Sequence, residues 1–155
     1  MKRLVLLRHG HSPFGFGSDF DRRLDERGRR GVQAAATALR DLGFLPELIL
    51  ASAARRTQET AALAAAVLGD PPPPVRALEA LYSAGAREAL ELLVEGAGDA
   101  AAVLVVGHNP TLSELATVLG PDPVGLAPGE FWGADFPAED WALVETTAPL
   151  RVHTL

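Results

Sequence analysis

Three short apolar runs mark the first two thirds of the chain, and each is continuous rather than an alternation of apolar and polar residues. They occupy residues 4–7, 48–51 and 103–106. Continuous runs of this length are typical of strands that are covered on both faces, as in a parallel sheet between two layers of helices. The pattern therefore predicts three buried parallel strands.

Helical periodicity fills the segments between these runs. Apolar residues recur at helical spacing over residues 32–42, 86–94 and 112–119, and Ser52 is placed to cap a further helix that runs through Leu68. In the last quarter, residues 130–136, 141–145 and 150–154 are predicted as short strands with antiparallel edge character. The alternation predicts an α/β fold, a three-layer α/β/α sandwich with a mostly parallel central sheet and an antiparallel edge strand. We expect one domain over residues 1–155.

Composition narrows the classes of function. Hydrophobic residues make up 48% of the chain and charged residues 22%, as in ordinary globular domains. There is no cysteine, which excludes disulfides, thiolate metal sites and a cysteine nucleophile. The net charge of −6 argues against a nucleic-acid-binding surface. No apolar run approaches the roughly 20 residues that span a bilayer, so we expect a cytoplasmic protein without membrane association.

A polar cluster follows each of the three apolar runs. Arg8-His9-Gly10-His11-Ser12 follows the first, the residues at 52–57 follow the second, and Gly107-His108-Asn109-Pro110 follows the third. Because the carboxyl ends of parallel strands meet at one edge of the sheet, we expect two histidines and at least two arginines to converge there.

Such a site is suited to phosphoryl transfer. A neutral imidazole is a competent nucleophile toward phosphorus, and arginine forks match phosphate oxygens. A second histidine can donate to the phosphoryl oxygens as an imidazolium, and glycine at position 10 lets the backbone approach the anion. A histidine or arginine after a strand is ordinarily a surface residue, but the pairing of His9 with His108 favours function. No acidic residue adjoins either histidine motif, so we expect no metal and no cofactor.

The Arg8-His9-Gly10 (RHG) segment resembles the signature of the histidine phosphatase superfamily, whose fold is phosphoglycerate mutase-like. The spacing of Ser52, Arg56 and Thr60 and the 105–109 segment are similar to that family's second and third motifs. Residues 19–28 resemble the SixA-type phosphohistidine phosphatases. The resemblance implies that His9 is the nucleophile and that the phosphoryl group is bound by Arg8, Arg56 and His108. It also implies contacts to phosphate or substrate from Gly10, Ser12, Arg22 and Asn109.

Several alternatives stay open at this level. Ser12 and Arg22 are equally well explained as a loop hydroxyl and a salt-bridged surface arginine. Glu79 is the one acid in the 75–82 segment, where the wider superfamily usually carries its proton donor, so it is a possible proton donor or a solvated residue. A site without a strong acid suits phosphohistidine, because the imidazole leaving group is protonated near neutral pH whereas an alkoxide needs an acid.

The sequence thus predicts a phosphatase that removes phosphate from phosphohistidine on a phosphorelay or phosphocarrier protein. The alternatives are a phosphomonoesterase for a small phosphorylated metabolite or nucleotide, and a catalytically silent phosphoprotein-binding module. We expect an open site, with the 13–17 loop either offering Phe14 and Phe16 as a docking edge or folding back onto the domain.

Overall fold

The computed structural model describes residues 1–154, and its centre is a six-stranded sheet. The strands are β1 (Lys2–Arg8), β2 (Leu48–Ser52), β3 (Val75–Leu78), β4 (Ala102–Gly107), β5 (Phe131–Phe136) and β6 (Arg151–Thr154). Their order across the sheet is β3-β2-β4-β1-β5-β6. The pairs among β3, β2, β4 and β1 are parallel, whereas β5 pairs antiparallel with β1 and β6 pairs antiparallel with β5. The predicted mostly parallel sheet with an antiparallel edge is confirmed.

Four α-helices cover the two faces of this sheet. They are α1 (Glu26–Asp41), α2 (Arg55–Leu68), α3 (Ala86–Ala97) and α4 (Thr111–Leu119). Asp25 caps α1 by accepting a hydrogen bond from the Gly28 amide, which satisfies one of the free N–H groups of the first turn. The helices pack in pairs, α1 against α2 and α3 against α4.

Alternate residues of the central strands belong to two separate cores. Leu4 and Leu6 of β1 pack in the core that contains α3 and α4, whereas Val5 and Leu7 pack in the core that contains α1 and α2. Both faces of the sheet are therefore dry, which explains why the three central strands have continuous apolar sequences. The result is the predicted three-layer α/β/α sandwich.

The structure corrects the sequence analysis at three places. Residues 141–145 are not a strand but part of a 3₁₀ helix over Trp141–Thr146, in which Trp141 is buried and its indole N–H donates to the Ala100 carbonyl. Strand β3 was not predicted, because it is a short sheet edge whose residues are mostly exposed. Ser52 does not cap α2; it ends β2, and the helix begins at Arg55.

Candidate functional site

Three neighbouring strands deliver the predicted polar clusters to one edge of the sheet. Strands β2, β4 and β1 lie side by side and parallel, with Arg8 in register with Gly107. The His9 amide continues this pairing by donating to the Gly107 carbonyl over 3.1 Å. Because the strands run in the same direction, the residues that follow them share one cavity.

The imidazole of His9 is held with one nitrogen bound and the other facing Arg56. Its Nδ1 lies 2.8 Å from the carbonyl oxygen of Gly10, so Nδ1 carries the proton and donates it. Its Nε2 accepts a hydrogen bond from Nε of Arg56 over 3.4 Å. Burial, and to a smaller extent the neighbouring arginines, lowers the pKa of His9 to about 4 despite the opposing effect of the Gly10 carbonyl. His9 is therefore neutral near pH 7, with a lone pair on Nε2.

Arg56 lies at the centre of the site. It stands in the first turn of α2, is buried, and donates from Nη1 to the Asp19 carbonyl over 2.8 Å. Its Nη2 lies 3.3 Å from Nδ1 of His108. The adjacent Arg55 is exposed, and its Nε donates to Glu59 on its own helix. The choice of Arg56 over Arg55 agrees with the turn of an α-helix, which separates consecutive side chains by about 100°.

His108 lies opposite His9, with the two ring centroids 5.4 Å apart. Its Nε2 lies 2.8 Å from Oγ of Ser52, which also accepts from the Ala54 amide. Burial, followed by the charge of Arg56, lowers the pKa of His108 to about 3. The His108 ring is therefore neutral near pH 7 when only these cations surround it. A phosphoryl group, being negatively charged, would raise the pKa of His108 again.

The Arg8 guanidinium has one nitrogen held by a backbone carbonyl and another that is buried without a partner among the described residues. Its Nη1 donates to the Leu126 carbonyl over 2.9 Å. Its Nε is buried and finds no hydrogen-bond partner within residues 1–154. Burial, followed by the charge of Arg56, lowers the pKa of the Arg8 guanidinium. A buried unpaired donor on a cation is costly, and an anion in the cavity is the partner that suits it.

Gly10 is not positioned as a phosphate ligand. Its N–H donates to Oγ1 of Thr60 over 3.2 Å, and it is not among the residues that line the cavity. A Cβ at position 10 would lie 2.7 Å from the Gly28 carbonyl oxygen and 2.8 Å from Val32. Glycine is required there because α1 packs against the loop, rather than because an anion approaches it.

Ser12 and Asn109 line the cavity, but their polar atoms are used within the protein. The Ser12 hydroxyl donates to the Arg23 carbonyl over 2.7 Å. The Asn109 amide donates to the Leu126 carbonyl over 2.7 Å, and its oxygen accepts from Ser113. Both side chains therefore help to shape the loops around the cavity.

Arg22 reaches the cavity through a network that the sequence analysis did not find. Its Nη2 donates to the Ser12 carbonyl over 2.6 Å, and its Nη1 donates to Oδ1 of Asp19 over 2.8 Å. The other carboxylate oxygen of Asp19 accepts from Nη2 of Arg56 over 3.1 Å and from the Tyr82 hydroxyl over 2.6 Å. These hydrogen bonds, that from Tyr82 above all, hold the pKa of Asp19 well below its usual range. Asp19 is therefore ionised.

The structure places Glu79 outside the cavity, in the position of a solvated residue rather than of a proton donor. Glu79 is exposed at the start of a 3₁₀ helix over Glu79–Tyr82, and it is not among the residues that line the cavity. The same turn buries Leu81 and delivers the Tyr82 hydroxyl to the cavity instead. No signal in the sequence distinguished Tyr82, because its partner Asp19 is far away in the chain.

The cavity has a volume of about 450 Å³. Its lining combines three arginines and three histidines with one carboxylate: Arg8, His9, His11, Ser12, Phe14, Asp19, Arg22, Arg56, Tyr82, His108, Asn109 and Pro128. His11 lines the same cavity, and its Nδ1 lies 2.6 Å from Oδ2 of Asp25. The concentration of guanidinium groups favours an anionic ligand.

Neither a metal-binding cluster nor a membrane-spanning helix is present within residues 1–154. That part of the chain contains no group of three or more His, Asp or Glu side chains that could hold a metal ion. It also contains no helix that is both long and apolar enough to cross a membrane. The expectation of a cytoplasmic location without metal or cofactor stays a prediction.

Comparisons with known proteins agree with this geometry. The sequence profile of the histidine phosphatase superfamily (branch 1) matches residues 4–86, which is more than half of the chain. An uncharacterized chloroplastic protein of Arabidopsis thaliana is 35% identical over 128 residues, and this match covers 76% of the present chain. The chain spans only 59% of the length of that relative.

Solved structures show the same fold. A protein from Nakamurella multipartitia assigned as the phosphohistidine phosphatase SixA superposes with a TM-score of 0.83 at 28% identity, covering 98% of this chain and 95% of that one. A mycobacterial glucosyl-3-phosphoglycerate phosphatase superposes with a TM-score of 0.67 at 22% identity, covering 99% and 97%, a likeness that shows the fold alone. Profile, relatives and site geometry lead to one conclusion: the chain belongs to the histidine phosphatase superfamily.

Proposed function

We propose that the protein is a phosphatase that forms a covalent phosphohistidine on His9, and that its substrate is phosphohistidine on a protein domain. The observation that carries this proposal is the pairing of a neutral His9, whose Nε2 has a lone pair, with the nearby guanidinium groups of Arg56 and Arg8. Arg56 contacts Nε2 directly, and Arg8 holds a buried donor without a partner among the described residues. Superfamily membership supports phosphatase activity.

In the first step, Nε2 of His9 attacks phosphorus and the bond between phosphorus and the leaving group breaks. The electron pair of that bond stays with the leaving group. The proton on Nδ1 remains in place, so the phosphorylated ring is a cation whose N–H donates to the Gly10 carbonyl. That hydrogen bond stabilises the charge as it forms, without any movement of the loop.

The phosphoryl group exchanges hydrogen bonds with the residues around it. Arg56 donates to the nitrogens of both His9 and His108, and these donors turn to phosphoryl oxygens when the substrate binds. Arg8 supplies its unpaired Nε–H. His108 gains a proton as the negative charge arrives, and Ser52 keeps its ring in place through the 2.8 Å contact.

In the second step, water attacks phosphorus and the bond to Nε2 of His9 breaks. Inorganic phosphate leaves, the proton of the attacking water is released, and His9 returns to its neutral form. None of these steps requires a strong acid in the site, which matches the position of Glu79 outside the cavity and the ionised state of Asp19. A phosphohistidine leaving group satisfies this condition, because imidazole is a weak base in comparison with an alkoxide.

A protein substrate is supported by the rim of the cavity. Phe14 lines the cavity and is 89% exposed, and Phe16 extends fully into solvent beside it. The Phe14 ring lies over the Arg22 guanidinium at 4.2 Å, whereas Phe16 does not fold back onto the domain. Exposed aromatic side chains at a binding site are typical of surfaces that contact another protein. The likeness to the Nakamurella protein, at 28% identity, supports the same substrate.

The experiment is a comparison of turnover. A phosphohistidine-bearing phosphotransfer domain and a panel of phosphomonoesters are assayed with the wild-type protein, with His9→Ala and with Arg55→Ala as the matched control. We expect a strong preference for the phosphohistidine protein, a loss of at least a hundredfold in His9→Ala, and little change in Arg55→Ala. Faster turnover of the small esters would favour a metabolite phosphatase instead. No turnover of any substrate, with binding retained, would favour a silent binding module.

A further inference from the structure

We infer that Asp19 is a specificity-determining residue, which selects substrates by the charge of the group attached to the phosphate. It favours a cationic leaving group, such as a protonated phosphohistidine ring, and disfavours an anionic one. This inference rests on the proposed phosphatase function and deepens it. Asp19 is the one carboxylate among the described residues that line the cavity.

The carboxylate is fixed by donors from three parts of the chain. Tyr82 donates to Oδ2 over 2.6 Å, Arg22 donates to Oδ1 over 2.8 Å and Arg56 donates to Oδ2 over 3.1 Å. Tyr82 is itself held by edge-to-face packing against Phe20, with ring centroids 5.1 Å apart. Rotation of the Asp19 side chain would break these hydrogen bonds together. Its negative charge therefore has a defined position when a substrate enters.

The position of Asp19 relative to His9 indicates which part of the substrate it meets. His9 lies at the buried end of the cavity, with 7% of its surface exposed. The Asp19 side chain is 49% exposed, and it accepts from Nη2 of Arg56, whereas His9 accepts from Nε. A substrate enters from solvent and places its phosphoryl group against His9. The group attached to phosphorus then lies toward the exposed end, where Asp19 is.

The chemistry of phosphohistidine fits a negative charge at that end. Its reactive form is protonated on the ring nitrogen that does not carry phosphorus, so the ring is a cation. When the phosphoryl group moves to His9, the bond to the leaving nitrogen breaks, the electron pair stays on that nitrogen, and neutral imidazole departs with its proton. Asp19 attracts the cationic ring before transfer. The same charge repels a phosphate ester that carries a carboxylate.

The test compares Asp19→Asn with Asp21→Asn, a matched loss of one acid from the same turn that does not line the cavity. The ratio of kcat/KM for a phosphohistidine protein to kcat/KM for phosphoglycolate, an anionic ester, is measured in each. We expect the ratio to fall about tenfold in Asp19→Asn, because the change removes an attraction to one substrate and a repulsion of the other, each worth about a few-fold at a partly exposed site. In Asp21→Asn the ratio should change less than about twofold. A merely structural defect lowers kcat/KM for both substrates alike and leaves their ratio unchanged. An unchanged ratio in Asp19→Asn would therefore overturn the inference.

A second measurement separates this inference from the proposed function. If the wild-type protein does not dephosphorylate the phosphohistidine protein, the proposed substrate is wrong, but the selection by charge can still be measured. Phosphocholine and phosphoglycolate, whose attached groups have opposite charges, are then compared by calorimetric binding. We expect Asp19→Asn to raise the affinity for phosphoglycolate relative to the affinity for phosphocholine by about tenfold. Equal changes for the two ligands would refute a role for Asp19 in specificity.

Discussion

Nε of Arg56 lies 3.4 Å from Nε2 of His9, the nitrogen that the proposed mechanism uses to attack phosphorus. The contact keeps the proton off Nε2 and places a cation where the phosphoryl oxygens arrive. It depends on the start of α2, which turns Arg56 inward and Arg55 outward. The start of α2 therefore positions the phosphate-binding Arg56 against the nucleophile His9, which follows the end of β1.

Replacement of Arg56 should impair catalysis far more than replacement of its neighbour. We expect Arg56→Ala to lower kcat by on the order of a hundredfold to a thousandfold, because it removes a charged donor from the transferring phosphoryl group. Arg55→Ala removes the same side chain from the exposed face of the same helix turn and should stay within about twofold of wild type. Steady-state kinetics on both variants, with circular dichroism to verify folding, makes the comparison. Equal losses in the two would contradict the assigned role of Arg56.

Acid should destabilise the fold through the two site histidines. The pKa of His9 is lowered to about 4 and that of His108 to about 3, mainly by burial. Below about pH 6.5 the unfolded chain takes up protons on these rings that the folded chain does not, so the free energy of unfolding falls as pH decreases from about 6.5 to about 4. Urea unfolding across this range measures the fall.

Replacement of one site histidine tests whether these rings cause the pH dependence of stability. His108→Gln removes one of the two rings and should make the dependence of the unfolding free energy on pH shallower over the same range. A wild-type protein that is equally stable at both ends of the range would show that the two rings are not buried in the neutral form.

Gly10 should be required for stability, because of its packing against α1. A methyl group at position 10 would lie 2.7 Å from the Gly28 carbonyl oxygen, so Gly10→Ala forces the loop and helix apart and should cost about 2–4 kcal/mol. Gly31 lies in α1 with nothing within 4 Å of an added Cβ. Gly31→Ala should be neutral or stabilise by up to about 1 kcal/mol. Thermal unfolding of the pair tests the contrast, and similar melting temperatures would exclude the interlocked packing.

The aromatic loop should matter for a protein substrate only. Phe16 is fully exposed and does not line the cavity. Phe16→Ala should therefore raise KM for a phosphohistidine protein by about three- to tenfold and leave KM for small esters unchanged. Leu45 is also exposed, and it precedes β2, so it lies at the amino-terminal ends of the parallel strands, away from the cavity at their carboxyl ends. Leu45→Ala is therefore the control. An unchanged KM in Phe16→Ala would remove the loop from the account of substrate binding.

The central sheet was predictable because its strands are covered on both faces, which leaves continuous apolar runs in the sequence. Strand β3 lacks this signal because it is exposed at the sheet edge, and residues 141–146 resemble a strand although Trp141 anchors a 3₁₀ helix. Trp141 packs in the core and bonds the Ala100 carbonyl through tertiary contacts that a local pattern does not contain.

The convergence of Arg8, His9, Arg56 and His108 was also predictable, since each lies at or shortly after the carboxyl end of a parallel strand. Asp19 and Tyr82 were not, because they stand on 3₁₀ turns and meet across a separation of 63 residues. The sequence also showed no sign that donors in the motifs bond to other parts of the protein. The Gly10 N–H donates to Thr60, and the Asn109 amide donates to the Leu126 carbonyl. Only the folded geometry shows which motif residues keep a free donor.

The most direct test of the central claim is the capture of the phosphorylated enzyme. The protein is mixed with a radiolabelled phosphohistidine domain, quenched within milliseconds, and analysed for label that is labile to acid and stable to alkali. We predict such a label on His9 in the wild-type protein and none in His9→Ala. Turnover that proceeds without any label on His9, or equally well in His9→Ala, would contradict the covalent mechanism.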